Sequence, residues 1–156
     1  MASFAPAGWE PRPHDDRLAF TREVLEHPGG VALVAHVAGE PAGHFAMVPG
    51  YWDEPRAAIL VALFIRPAFW GTGLADHLHG AFVAAATSRG YPWAWLSTPA
   101  GHARARRFYE RRGWRADTLV ESHDAMPWAI YGRALLPATG AGGDNPPVDA
   151  RVRSRP

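Results

Sequence analysis

An unbroken apolar run followed by a glycine-rich turn constrains the fold of this chain more than any other feature. The run Ala57–Ile65 contains no polar side chain, which is typical of a central strand buried on both faces. The turn Trp70-Gly71-Thr72-Gly73 follows it, and an amphipathic helix then continues to about Arg89, where Gly90 stops it. Residues 91–97 have the two-residue alternation of a strand. Strands joined by such a crossover are parallel, so the turn lies at the carboxyl end of the first strand, where open α/β sheets bind ligands.

The rest of the chain predicts further elements around this strand, helix and strand unit. Two short apolar runs separated by Gly39-Glu40-Pro41 are typical of an antiparallel hairpin. Pro28-Gly29-Gly30 and Gly113 are helix stops, since proline cannot continue a helix and glycine readily takes the left-handed conformation after its last turn. The predicted elements are helices over residues 15–27 and 102–112, and strands over 31–37 and 42–48, within 115–122 and within 125–135.

Length and composition predict a single α/β domain with a mixed sheet. With 156 residues, of which 47% are hydrophobic and 20% charged, the chain can bury one sizeable core. Residues 15–136 are expected to form this domain. Residues 1–14 are predicted to be a flexible stub and residues 137–156 a disordered tail, because both segments are rich in Pro, Gly and Ala without any period.

Charge and cysteine content favour a small-molecule partner. The formal net charge is +1, so no strong field would attract nucleic acid or an acidic membrane surface. The absence of cysteine excludes disulfides, thiolate nucleophiles and Cys-based zinc sites. The longest apolar run is well short of the roughly 20 residues of a membrane-spanning helix. These features predict a cytoplasmic protein that binds neither nucleic acid nor membrane.

The glycine-rich turn predicts an anion site. Backbone N–H groups of such a turn converge on an anion, and the dipole of the following helix favours negative charge there. The turn is not a P-loop, because no Gly-Lys-Ser/Thr sequence follows it.

Two motifs resemble the GNAT superfamily of N-acetyltransferases. Trp70-Gly71-Thr72-Gly73-Leu74-Ala75 is similar to its acyl-CoA pyrophosphate motif, in which Arg or Gln is followed after two residues by Gly, any residue, and Gly or Ala. Gly73 and Ala75 match this motif, whereas Trp70 stands in place of Arg or Gln. Residues 102–114 resemble the second signature, Asn-x-x-Ala-x-x-Phe-Tyr-Glu ending in Gly-Phe, with His102 for the Asn and Trp114 for the Phe.

The resemblance implies a fold, a cosubstrate and a set of site residues. The fold would be a mixed sheet flanked by helices, in which two parallel strands splay apart around the pantetheine of acetyl-CoA. The implied reaction is direct attack of a primary amine on the thioester, with Tyr109 protonating the departing thiolate and no metal. The cofactor-binding residues implied are Phe64 and Ile65, which would also form the oxyanion hole, together with Trp70, Gly71, Thr72, Gly73, Leu74, Ala75 and His102.

The chain departs from the family pattern at its start and at the general base. Residues 1–14 offer only a Pro-rich stub where the family usually has a first strand and helix, so we expect residues 31–37 to form an open edge that this stub or the second subunit of a homodimer would cover. The glutamate that many relatives carry before the glycine loop is also missing, since Ala57, Ala58 and Ile59 occupy that region. The alternative bases are His44, Asp53, Glu54, Glu121, His123 and Asp124.

Other conspicuous side chains are expected to have simpler roles. His77 and His79 are two apart on a helix and point in different directions, so both are expected at the surface rather than on a metal. The cluster Arg104, Arg106, Arg107, Arg111 and Arg112 is expected to be a solvated face, one or two of whose members could meet the cosubstrate's 3′-phosphate. Tyr51, Trp52 and Trp128 are candidates for the wall of an acceptor pocket.

Two functions other than catalysis stay open from the sequence. The chain could be an acyl-CoA-binding module without activity, or a degenerate relative of the family that has lost the cosubstrate. The sequence also leaves open whether the acceptor is a metabolite, an antibiotic, a polyamine or a protein amine, and whether the acyl group is longer than acetyl.

Overall fold

The structure, a computed structural model, describes residue 19 and residues 22–50, 56–121 and 127–135. The predicted stub and disordered tail lie outside these residues. So do most of the helix predicted over residues 15–27 and the candidates Tyr51, Trp52, Asp53, Glu54, His123 and Asp124.

Six strands form one mixed sheet in the order β1-β2-β3-β4-β6-β5. The β3–β4 pair is parallel and the other neighbours are antiparallel. The predicted mixed sheet is therefore confirmed, with the apolar run in its middle. The strands are β1 (Val31–Val37), β2 (Glu40–Pro49), β3 (Ala57–Ile65), β4 (Trp93–Pro99), β5 (Arg115–Glu121) and β6 (Pro127–Ala134).

Two helices, α1 (Leu74–Ser88) and α2 (Ala103–Glu110), follow the two parallel strands. A short 3-10 turn, Pro67–Phe69, connects β3 to the glycine turn. Strand β4 begins two residues later than predicted. The Tyr91 N–H still donates to the Ala86 carbonyl at 3.2 Å, so this residue completes the exit from α1.

Both faces of the sheet carry apolar clusters. The larger cluster lies under α1 and α2 and joins residues of β2, β3, β4 and β6, with Phe45, Phe82 and Tyr131 among its most buried side chains. The smaller cluster lies on the opposite face, where Val24 from the helical residues 22–26 packs on Ala46 and Val48. Helices on both faces explain why β3 is apolar throughout.

A bulge in β3 coincides with the point where the parallel strands part. Ala46 pairs with Ala62 but Met47 pairs with Leu60, so Val61 is an extra residue on β3. Pairing with β4 covers only the first three residues of β3 and ends at Ile59 opposite Trp95. A bulge bends its strand and shifts the alternation of its side chains. Both Leu60 and Leu63 accordingly pack in the larger cluster, and the carboxyl halves of β3 and β4 diverge.

Strand β1 lies at one edge of the sheet, as predicted. Within the residues that the structure describes, it pairs only with β2. Leu33, Val34 and Val37 are exposed, and the strand contains neither a proline nor a fully charged side chain. Edges of natural sheets are usually protected by such residues.

His79 is buried, so the prediction of a surface histidine was wrong. The residue is only 6% exposed, because this turn of α1 packs against Trp114. The Trp114 Nε1–H donates to His79 Nε2 at 2.9 Å. His77 is exposed as expected, with its Nδ1 3.0 Å from the Gly73 carbonyl oxygen. No helix among the described residues is long and apolar enough to cross a membrane.

Candidate functional site

A cavity of about 630 Å³ lies between the end of β3, the glycine turn and α2. Most of the predicted cofactor-binding residues contribute to its wall, and so does Tyr109. The lining residues are Leu63, Phe64, Ile65, Phe69, Trp70, Gly71, Gly73, Leu74, Ala75, Asp76, His102, Arg104, Ala105, Phe108, Tyr109 and Arg111.

The glycine turn needs its glycines for conformation rather than for space. Gly71 and Gly73 have φ angles of 77° and 84°, which other residues rarely adopt. A Cβ at either position would meet no atom within 4 Å. Gly73 is the N-cap of α1, so Leu74 and Ala75 form its first turn, where backbone N–H groups have no partner within the helix. These N–H groups and the helix dipole suit a bound anion.

Trp70 and Thr72 hold the turn against the end of β3. The Trp70 Nε1–H donates to the Ile65 carbonyl at 3.0 Å, and the Thr72 hydroxyl donates to the Phe69 carbonyl at 2.7 Å. Of the predicted cofactor-binding residues, Thr72 alone does not line the cavity. Its hydroxyl contributes to the shape of the turn.

The end of β3 presents one side chain to solvent at the cavity. Phe64 is 48% exposed and lies opposite His44 in the β2–β3 register. The strand is anchored just beyond this point, since the Arg66 N–H donates to the Ala42 carbonyl at 2.9 Å. The Arg66 guanidinium also donates to the Pro41 carbonyl and lies 3.5 Å from Glu40.

Tyr109 brings a phenol to the cavity from α2. The residue is 9% exposed and packs edge to face against Phe108 and Trp114. Burial raises the pKa of Tyr109 from its ordinary 10.0 to about 12, because the phenolate would lose its hydration. The hydroxyl therefore keeps its proton throughout the neutral range.

Polar contacts fasten α2 to the sheet and to α1. The Arg106 Nε–H donates to the Tyr131 hydroxyl at 2.9 Å, and that hydroxyl donates to Glu110 at 2.7 Å. Arg112 pairs with Asp76 of α1 and stacks on the Phe108 ring. These contacts hold the helix that carries Tyr109. They also show that Arg106 and Arg112 are half-buried rather than part of a solvated face, which corrects the expectation for these two.

Arg104 and Arg111 are exposed and line the cavity, as does His102. Arg111 is the C-cap of α2 and follows Arg104 by seven residues, a spacing that brings side chains to one face of a helix. Sequence reasoning assigned no single arginine to the site. The available signal was that their face also carries Ala105 and Phe108. Burial and the neighbouring Arg104 both lower the pKa of His102, which favours its neutral form.

His44 is the one base candidate whose side chain the structure describes. Its ring centroid lies 5.8 Å from that of Phe64, although His44 itself does not line the cavity. Partial burial lowers its pKa, so the imidazole is neutral and able to accept a proton at pH 7. The backbone of Glu121 ends β5, and Trp128 lies half-buried on β6. Among the described residues, no three acidic, histidine or cysteine side chains are grouped to hold a metal ion.

Comparison with known families gives a match over most of the chain. A sequence model of the "Acetyltransferase (GNAT) family" matches residues 2–114, from the N-terminal segment to the end of the α2 signature. No curated protein matches the sequence.

Solved structures with the same fold include three from different microorganisms. A protein from Desulfovibrio desulfuricans, described as an acetyltransferase of the GNAT family, is 22% identical with a TM-score of 0.69, covering 82% of this chain and 84% of its own. Ard1 from Thermoplasma volcanium is 20% identical with a TM-score of 0.67, covering 84% and 85%. A Bacillus anthracis protein described as a streptothricin acetyltransferase, in complex with acetyl coenzyme A, is 14% identical with a TM-score of 0.64, covering 72% and 66%.

Proposed function

This chain belongs to the acetyltransferase (GNAT) family, and we propose that it moves an acetyl group from acetyl-CoA to a primary amine by direct attack. The observation that carries this proposal is a single cavity that joins the glycine turn, the splayed end of β3 and the phenol of Tyr109. These are the three parts that such a transfer requires: an anion site, a thioester site and a donor to the leaving group.

The glycine turn is proposed to bind the diphosphate of acetyl-CoA. Its left-handed glycines and the first turn of α1 offer backbone N–H groups and the positive end of a helix dipole, and both features suit phosphate oxygens. The pantetheine arm would extend from there along Leu63, Phe64 and Ile65. Backbone groups near Phe64 and Ile65 would polarise the thioester carbonyl in an oxyanion-hole role.

Tyr109 is proposed to assist the leaving group. As the amine nitrogen forms its bond to the acetyl carbon, the C–S bond breaks and negative charge develops on sulfur. An ordinary thiol has a pKa of about 8.5, well below that of the buried phenol. Tyr109 would therefore stabilise the thiolate chiefly as a hydrogen-bond donor, with complete proton transfer being uphill.

His44 is the base that the described residues favour. An ammonium group must lose a proton before it can attack, and the neutral imidazole of His44 lies next to Phe64 at the cavity. Because His44 does not line the cavity, it would act through a water molecule. The acceptor itself stays unassigned, since the similar structures carry names with different substrates.

Calorimetric titration with acetyl-CoA tests the cosubstrate part of the proposal. We expect wild-type protein to bind and Gly73→Glu to bind at least tenfold more weakly, because the new carboxylate would repel the diphosphate. Gly39→Glu is a matched control, since Gly39 has a φ of 83° and equal free space but lies in the β1–β2 turn and does not line the cavity. Failure of the wild type to bind would refute the proposal and favour a degenerate relative.

A screen of primary amines then tests catalysis. Tyr109→Phe should lower kcat by about 100-fold while leaving the affinity for acetyl-CoA unchanged, because the hydroxyl acts only as the thiolate forms. Binding of acetyl-CoA without transfer to any amine would favour the non-catalytic acyl-CoA-binding module instead.

A further inference from the structure

We infer that Arg104, stacked on the indole of Trp70, binds the diphosphate of acetyl-CoA and supplies from α2 the side-chain donor that the glycine turn lacks. This inference rests on the proposed function, since it concerns the same cosubstrate. It gives Arg104 a contact that neither motif predicts, and gives Trp70 the role of holding that side chain in place.

The indole of Trp70 is held in a fixed orientation. Its Nε1–H donates to the Ile65 carbonyl at 3.0 Å, and its backbone N–H donates to the Pro67 carbonyl at 3.2 Å. The ring consequently forms a rigid part of the cavity wall, next to the glycines of the turn.

The guanidinium of Arg104 lies on this ring. Its Cζ atom is 4.4 Å from the indole centroid, well within the range of a cation–π contact. A guanidinium whose face lies on an aromatic ring keeps its N–H groups at the edge, where they can donate to another group. Those N–H groups form the planar fork that binds two phosphate oxygens at once.

The charge of Arg104 is not neutralised by any carboxylate among the residues that the structure describes. Three nearby arginines are paired: Arg66 with Glu40, Arg106 with Glu110, and Arg112 with Asp76. The two arginines that line the cavity, Arg104 and Arg111, have no such partner among the described residues, and Arg104 is the one that lies on Trp70 beside the glycine turn. An unpaired guanidinium beside backbone N–H donors is suited to a polyanion.

His102, the other basic side chain near the start of α2, does not compete for this role. Burial lowers its pKa, and the charge of Arg104 lowers it further. The neutral imidazole leaves Arg104 as the cation at this end of the cavity.

A double-mutant cycle with calorimetric titration tests the inference. The proteins are wild type, Arg104→Ala, Trp70→Ala and the double variant, titrated with acetyl-CoA and with 3′-dephospho-acetyl-CoA. We expect Arg104→Ala to weaken both affinities about 10- to 30-fold, since a charge-assisted bidentate contact is lost. The double variant should bind about as weakly as Arg104→Ala alone, because the indole acts through the guanidinium.

Two further variants provide a control and a rescue experiment for the double-mutant cycle. Arg107→Ala is the matched control, because Arg107 is an exposed arginine of the same helix that does not line the cavity, and it should change affinity less than twofold. Trp70→Arg in the Arg104→Ala background should recover most of the lost affinity, since it returns a guanidinium to the turn. Circular dichroism confirms that each variant is folded, and Trp70→Phe replaces Trp70→Ala if the latter is not.

Several results would overturn the inference. Equal affinities of Arg104→Ala and Arg107→Ala would show that Arg104 does not contact the cosubstrate. If Arg104→Ala weakened the affinity for acetyl-CoA but not for the 3′-dephospho analogue, Arg104 would contact the 3′-phosphate instead. If the affinity losses of Arg104→Ala and Trp70→Ala were additive in the double variant, Trp70 would not act through Arg104. Wild-type protein that binds acetyl-CoA with any of these results leaves the proposed function standing, whereas wild-type protein that does not bind refutes both.

Discussion

At the scale of single residues, His79 shows how burial changes what a side chain can do. Its Nε2 accepts the indole proton of Trp114, and its ring packs edge to face on Phe108. Burial lowers the pKa of His79 from 6.5 to about 4, and the charges of Arg133 and Arg112 add to the effect while Asp76 opposes it. The folded protein therefore holds this imidazole neutral where an unfolded chain would protonate it.

The first prediction concerns acid stability. The pKa of His79 is lower in the folded protein than in the unfolded chain. Its contribution to the free energy of unfolding is therefore complete above pH 6.5 and is lost as the pH falls towards 4. The free energy of unfolding should decrease by roughly 3 kcal/mol over this interval from His79 alone. Urea unfolding of wild type and His79→Gln at a series of pH values measures it. The glutamine can still accept from Trp114 but does not titrate, so an equal slope in both proteins would contradict the prediction.

The two motifs have fixed internal spacings, so their residues could be singled out from the sequence. Gly71, Gly73 and Tyr109 belong to these motifs and line one cavity, while their roles stay predictions. The burial of His79 and the contact of Arg104 with Trp70 were not predicted, because the partner residues come from other elements: Trp114 from beyond α2 and Trp70 from the turn. Contacts between residues distant in sequence leave no local pattern.

At the scale of elements, the close packing of α1 on the hairpin depends on Gly43. A Cβ at this position would lie 2.6 Å from the Phe64 carbonyl oxygen and 3.1 Å from Leu78 Cδ1. The nearest neighbour is backbone, which cannot rotate away. Gly43 therefore sets both the spacing of β2 from β3 and the depth at which α1 packs.

The second prediction follows from this contact. Gly43→Ala should lower the free energy of unfolding by about 1 to 3 kcal/mol, the usual effect of overpacking. Gly80→Ala is the control: it lies in α1, its Cβ would meet no atom within 4 Å, and it should stabilise the protein by about 0.5 to 1 kcal/mol. Thermal or urea unfolding of the two variants gives the comparison. Similar changes of the same sign would contradict the role assigned to Gly43.

The bulge at Val61 is the feature of β3 that the sequence could not reveal. The bounds Ala57–Ile65 were predicted correctly because the whole run is apolar. The same uniformity removes any alternation from which the change of face between Leu60 and Leu63 could be inferred. The divergence of β3 and β4 was expected only through the family resemblance.

At the scale of the whole molecule, the β1 edge of the sheet exposes apolar side chains. Strand β1 exposes Leu33, Val34 and Val37, and its outer side pairs with none of the described residues. Such an edge can add a strand from another chain. A homodimer stays a hypothesis, and this edge is where it would form.

The third prediction is that association depends on this edge. The mass measured by light scattering should rise above the 17.0 kDa of one chain as wild-type protein is concentrated. Val34→Lys should keep it at one chain, because Val34 is 54% exposed and a lysine there opposes strand addition. Ala84→Lys adds the same charge on the exposed side of α1 and should behave like wild type. If the mass of the wild type stayed at that of one chain at every concentration, both the association through β1 and the homodimer would be refuted.

The aromatic cluster beneath the two helices also has an optical consequence. Tyr109, Trp114 and Phe82 form a continuous series of ring contacts, with centroids 5.9 Å and 6.1 Å apart. Rings held at fixed distances and angles give a near-ultraviolet circular dichroism signal that vanishes when side-chain packing loosens. Tyr109 both lines the cavity and belongs to this series of rings. Binding of a ligand in the cavity should therefore change the near-ultraviolet circular dichroism spectrum without any label.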